Sequence, residues 1–216
     1  SGATVFAERG APAPQVPDNA TCLSCHSDAS LVSSAGKPVG VDEKKFAASL
    51  HGTMGMACVD CHADLNKKNL EFPHAAKLAR VNCAGCHEAS VAKYNLSIHA
   101  QARRQSADSV AAACADCHTS HEIRSSKDTE STTYALNLPA TCSRCHGSAE
   151  IIKQGNIRIG NIAAMYKDSI HGRAVSKSGL IVAANCTSCH GSHDIRKKDD
   201  PASLVNRANL PAMCGE

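Results

Sequence analysis

The chain has no tryptophan, and phenylalanine and tyrosine number three each. Alanine supplies many of its apolar residues, so there is little large side-chain area with which to offset the conformational entropy of folding. An ordinary hydrophobic core is therefore excluded for 216 residues. No run approaches 18 apolar residues, which excludes a membrane-spanning helix in the given chain. A long basic run and an aromatic stacking platform are both lacking, and with them the case for nucleic-acid binding. No signal-peptide pattern opens the sequence, which reads as a mature chain. Lys and Arg total 23 against 20 Asp and Glu, a formal charge of only +3.

What the chain has instead is cysteine and histidine, 13 and 12 of them. Twelve of the cysteines fall in six Cys-x-x-Cys-His pentapeptides: Cys22/Cys25/His26, Cys58/Cys61/His62, Cys83/Cys86/His87, Cys114/Cys117/His118, Cys142/Cys145/His146 and Cys186/Cys189/His190. In this pattern two thiols bond to the vinyl groups of a porphyrin and the following histidine ligates its iron. A zinc array has no need of histidine after every second cysteine, and a thioredoxin-like disulfide site would sit in a βαβ pattern that is absent. Six covalent haems c would supply the missing apolar surface, leaving the apo chain largely unfolded. At about +1 per ferric ring and −2 per pair of propionates they would also turn +3 into roughly −3, so the apparent basicity identifies no partner. Thioether attachment outside the cytoplasm implies export, to the periplasm or beyond.

The other six histidines, His51, His74, His99, His121, His171 and His193, fall one in each interval after a motif. Haem iron has a second axial position, and a neutral imidazole there gives a closed, low-spin centre. Six spare histidines balance six motifs. Three residues after the motif histidine, His121 and His193 lie on the wrong side to serve their own haem, so each must serve another. His74 has the least regular spacing. Met54, Met56, Met165 and Met213 read as packing residues.

The chain also repeats. Phe46–His51, Tyr94–His99 and Tyr166–His171 share aromatic-x-x-Ser-aliphatic-His, and His99, His118, His121 and Cys142 recur 72 residues later as His171, His190, His193 and Cys214. Three repeats result, approximately 21–87, 88–146 and 147–216, behind a Pro-rich extended arm over 1–20. The thirteenth cysteine, Cys214, stands where a seventh motif would begin, so the expectation is a longer protein with a seventh haem. Apolar spacing predicts helices over Asp42–His51 and Asn161–His171, Asn161 as N-cap and Gly52 and Gly172 as stops. The aromatic five residues before each spare histidine is expected against a macrocycle.

The strings Ser-Ile-His-Gly, Cys-x-x-Cys-His-Gly-Ser-His-Asp-Ile and Leu-Pro-Ala-x-Cys resemble multihaem c-type cytochromes with doubled Cys-x-x-Cys-His repeats, over about residues 21–216. That grouping spans tetrahaem cytochromes, relay subunits of quinol-oxidising membrane complexes, and extracellular conduits. The resemblance implies a mostly irregular, haem-packed fold with short α-helices, no substantial β-sheet, and bis-histidine haems in a stacked file. It implies an electron-transfer relay between other redox proteins, a membrane quinol-oxidising complex or further cytochromes; a homopolymer is a third form of the same conduction. The alternative is a multihaem reductase or oxidase of a small nitrogen or sulfur oxyanion, which needs one iron with an open face.

Overall fold

The computed structural model describes residues 15–68, 70–106 and 109–215. Most of the Pro-rich arm lies outside these residues; from Asn19 the chain is helical. Among the described residues, thirteen α-helices of four to nine residues alternate with turns and long irregular connections. The one β pairing among the described residues is an antiparallel bridge between Val32 and Pro38. The fold class is thus the expected one, short helices in irregular chain without a sheet.

Helices this short are not stable alone and need an apolar surface to pack on. The polypeptide does not provide it: among the described residues the buried hydrophobic side chains are Val59, Ala100 and Val175. Met54 and Ile170 are each 74% exposed and Val182 82%. The accessible surface is 15388 Å² for 22.5 kDa, against roughly 9,500 Å² expected of a folded monomer of that mass. The scarcity of large apolar residues has become a chain whose apolar groups face outward from the backbone, awaiting something to cover.

The contacts divide the chain into two compact units, Ser1–Glu43 with Gly55–Asn82, and Lys44–Met54 with Cys83–Glu216. In the first, the Asn19 side chain accepts from the Cys58 N–H at 2.7 Å and donates to the Met56 carbonyl at 3.3 Å, tying the first helix to the second motif.

In the second unit the 72-residue repeat is also a repeat of contacts. The Tyr94 hydroxyl donates to the Ala112 carbonyl at 2.7 Å and the Tyr166 hydroxyl to Ala184 at 3.0 Å. Arg124 pairs with Asp128 at 2.9 Å and Arg196 with Asp200 at 3.1 Å. The Asn137 amide reaches the carbonyls of Thr129 and Ser131, and the Asn209 amide those of Pro201 and Ser203. Thr119 and Gly191, each following a motif histidine, share a left-handed φ of 66° and 76°.

Two helix expectations need correcting. The segments expected to run unbroken to their histidines instead break at a serine and start again. Glu43–Ala47 gives way to Leu50–Thr53, Glu88–Leu96 to Ile98–Gln105, and Ile162–Asp168 to Ile170–Ser178. Ser49, Ser97 and Ser169 are the N-caps, their hydroxyls accepting from the N–H groups of Gly52, Ala100 and Gly172. A serine in extended conformation satisfies a donor the first turn would orphan, and this outweighs continuation of the helix. Gly52 and Gly172 therefore lie inside the second helix and end nothing. Asn161 stands before Ile162 but makes no side-chain cap bond.

Candidate haem sites

The motifs take helical form, and helix geometry explains their spacing. In Cys58–Cys61, Cys114–His118 and Cys186–His190 a helix begins at the first cysteine. Asn19–His26 and Leu138–His146 instead end on the motif histidine. Cys83–Gly85 is a single 3-10 turn. Residues i, i+3 and i+4 share one face of a helix, so two thiols and an imidazole converge on one attachment surface. Asp60 and Asp116 fix two of these turns from position N3, accepting from the Ala57 and Ala113 N–H groups at 2.7 Å. Asn185 caps the third through the Thr187 N–H.

The first cysteines of successive motifs meet in pairs. Cys22 hydrogen-bonds with Cys58, Cys83 with Cys114, and Cys142 with Cys186. Burial, then the facing thiol, pushes Cys58 up to about 11 and raises Cys114. In the third pair the hydrogen bond holds the proton on Cys142 and brings Cys186 down to about 7. Between pairs, Cys117 lies within electrostatic reach of Cys145, and Cys189 of Cys214. From Cys83 to Cys214 the attachment points thus form a continuous file.

Cys25 and Cys86 stand apart from that file in their surroundings. Both are exposed, whereas the other second cysteines of the motifs, Cys61, Cys117, Cys145 and Cys189, are half-buried. Cys25 lies at the end of Asn19–His26, its Sγ 3.9 Å from the Ser24 hydroxyl, and Cys86 falls just beyond the 3-10 turn Cys83–Gly85. The physical reason is position on the turn: the first thiol of each of these motifs points at a neighbouring motif, and the second, three residues on, points to solvent. The case for Cys25 and Cys86 as attachment residues is therefore their motif spacing, without the enclosure that the other four share.

Four times, a motif histidine faces a spare one. His26 and His74 have ring centroids 5.9 Å apart, His87 and His51 6.0 Å, His146 and His99 6.2 Å, and His118 and His193 6.0 Å. The interplanar angle varies from 12° to 53°. A near-constant separation with free tilt is what two imidazoles have on either side of one metal ion. A bond of about 2 Å on each side, plus roughly 1 Å from nitrogen to centroid, gives centroids about 6 Å apart. In the first pair both Nδ1 atoms meet backbone carbonyls, Val39 at 2.8 Å and Ala75 at 2.9 Å. Each Nδ1–H donates, which leaves each Nε2 an unprotonated ligand atom. Burial lowers His99, His118 and His146 below the ordinary histidine value, with the His146 ring adding to the effect on His99 and the His193 ring to that on His118. All of them are thereby kept neutral, as ligation requires. The donor set fits haem c. No cluster of three or more His, Cys, Asp or Glu side chains suited to a metal ion occurs among the described residues.

His62 ends the Cys58–Cys61 turn and His121 follows the turn of its motif, like His193. His193 faces His118, not its own His190. His171 and His190 form no ring pair with each other or with any other described histidine; His190 is lowered by partial desolvation and by His146. Of the three aromatics, Tyr94 and Tyr166 hold the loop before the next motif through their hydroxyls. Their sequence signal was the presence of a hydroxyl in two of the three copies.

Residues 50–147 match the family model for cytochrome c3. That stretch is less than half the chain and holds four of the six motifs. No curated protein and no solved structure matches the chain. The match supports what the paired histidines and filed cysteines describe: a multihaem cytochrome.

Proposed function

We propose that the chain is an electron-transfer relay, with haem c on each of the six motifs and histidine on both faces of the iron wherever a pair is in place. The observation that carries this is the fourfold recurrence of one motif histidine and one spare histidine about a gap of 5.9 to 6.2 Å. Bound haem supplies an iron that changes oxidation state by one electron. The polypeptide supplies attachment, paired imidazoles that close the coordination sphere to small ligands, and contact between successive attachment points. His51, His74, His99 and His193 are the spare ligands for the sites of His87, His26, His146 and His118.

Extracytoplasmic location follows from the thioether chemistry, and no described helix is long and apolar enough to cross a membrane. The partners that suit such a protein are other redox proteins, including quinol-oxidising complexes and further cytochromes.

The unpaired His190 favours one second reading, a reductase or oxidase with its open face at that motif. Low-temperature EPR of the oxidised protein, with haem quantified in the same sample, tests both. Low-spin signals at the four paired sites support the relay, and high-spin signals there sink it. A high-spin centre that binds nitrite or sulfite and turns it over would make the chain an enzyme.

A further inference from the structure

The three Ser-aliphatic-His turns are alike in sequence but not in surroundings. In the first, the Leu50 N–H donates to the Ile123 carbonyl at 2.9 Å; in the second, the Ile98 N–H donates to the Ile195 carbonyl at 2.8 Å. The acceptors belong to His121-Glu122-Ile123 and His193-Asp194-Ile195, the segments that follow the fourth and sixth motifs. Each takes an N–H that the first turn of a helix leaves without an internal partner. In the second instance the same segment also places His193 opposite His118. A His-acidic-Ile segment therefore closes a turn and faces a motif histidine at once.

The third turn has neither. Among the described residues the Ile170 N–H has no acceptor, and His190, which stands 72 residues after His118, has no facing ring. The surface is correspondingly open. Ser49 and Ser97 are 1% and 0% exposed, whereas Ser169 is only half-buried. Ile170 is 74% exposed against 44% for Leu50, and Ile98 is half-buried. His171 and His190 are exposed where His99 and His118 are half-buried.

We propose that Ser169–His171 and His190 form an acceptor face for a His-acidic-Ile segment of a further repeat, carried on polypeptide outside residues 1–216. Its isoleucine carbonyl takes the Ile170 N–H, and its histidine faces His190 as His193 faces His118. The occupant is identified by the internal repeat, which closes the equivalent turn with that segment twice and in the second instance also sets its histidine opposite a motif histidine. Cys214 agrees: it neighbours Cys189 as Cys142 neighbours Cys117. A motif opened there would bring a histidine to His171 as that of Cys142 brings His146 to His99. The part concerning His190 rests on the haem reading above.

The experiment uses the haem-loaded 216-residue chain and a synthetic peptide with the sequence of Gly191–Ser203. Before addition, EPR should show one high-spin haem at the motif of His190. The peptide should convert it to low spin and slow hydrogen exchange at the Ile170 amide by about tenfold or more. A peptide carrying His193→Ala should protect the amide and leave the high-spin signal. The proposal is overturned if the motif of His190 is low-spin without peptide, if imidazole or nitrite binds there while the peptide does not, or if the amide is protected only as protein concentration rises, which would mark a second copy. Absence of haem, or high-spin signals at the paired sites, would fail the relay reading instead and is separately visible.

Discussion

Replacing Thr119 with glycine should stabilise the protein. Thr119 adopts φ 66° and ψ 179° directly after a motif histidine. That region is close to glycine-only, and a side chain held there costs about 1–3 kcal/mol. Its hydroxyl is buried with no hydrogen-bond partner, and an orphaned hydroxyl costs about 1 kcal/mol or more. Glycine would remove both penalties and add backbone entropy to the unfolded chain worth about 0.5–1 kcal/mol. The balance is about 2 kcal/mol in favour of Thr119→Gly. The repeat contains its own control, because the equivalent position is Gly191, with φ 76° and ψ 176°. Gly191→Thr should cost at least as much, since a Cβ there would sit 3.1 Å from the Asp194 carboxylate oxygen. Thermal unfolding of the haem-loaded variants, matched for haem content, should move by about 4–8 °C in opposite directions. A loss of stability in Thr119→Gly would refute the reasoning. It would mean that the hydroxyl has a partner in the loaded protein, a haem propionate being the nearest chemistry at hand.

Ser97→Ala should cost about 2 kcal/mol and Ser169→Ala about 1, because both remove an N-cap but only Ser97 is itself fully buried; equal losses in denaturant unfolding would contradict this. His74→Ala and His193→Ala should each convert one haem equivalent from low spin to high spin by EPR, and an unchanged spin count would break the pairing. Acid should loosen the two turns built on Asp128 and Asp200. Backbone N–H donors, Glu130 to Asp128 and Ala202 to Asp200, hold these carboxyls below the ordinary value of 3.8, helped by Arg124 and Arg196. Their contribution is present above that value and lost as pH falls through the lowered one. Asp128→Asn with Asp200→Asn should flatten the acid limb of an unfolding titration.

The turns that carry the motifs were legible in the sequence because each motif is local: five residues and one helical turn. How far the chain encloses each thiol was not, since the exposure of Cys25 and Cys86 depends on which way each turn faces its neighbours. The absence of a sheet and the scarcity of core were legible because composition alone limits burial. The breaks at Ser49, Ser97 and Ser169 were not, because apolar periodicity continues through them and a serine cap bond leaves no mark on that periodicity. Pairing was partly legible. Spacing expelled His193 from its own motif, but that it faces His118 is set by contact between residues far apart in sequence, which spacing does not encode.

His74 shows how a spare histidine can keep its place opposite a motif histidine while losing its spacing. In the first two copies the histidine of the Ser-aliphatic-His turn faces a motif histidine further along the chain, His51 to His87 and His99 to His146. His26 is faced instead by His74, which follows it in sequence and lies within the same compact unit. The rings stand at nearly the same separation either way, 5.9 Å against 6.0 and 6.2 Å. The constraint the fold meets is therefore the distance between two imidazoles, and not the number of residues that joins them. Spacing departs from the repeat where the direction of approach does, which is why the interval from His62 to His74 could not be read off the later copies.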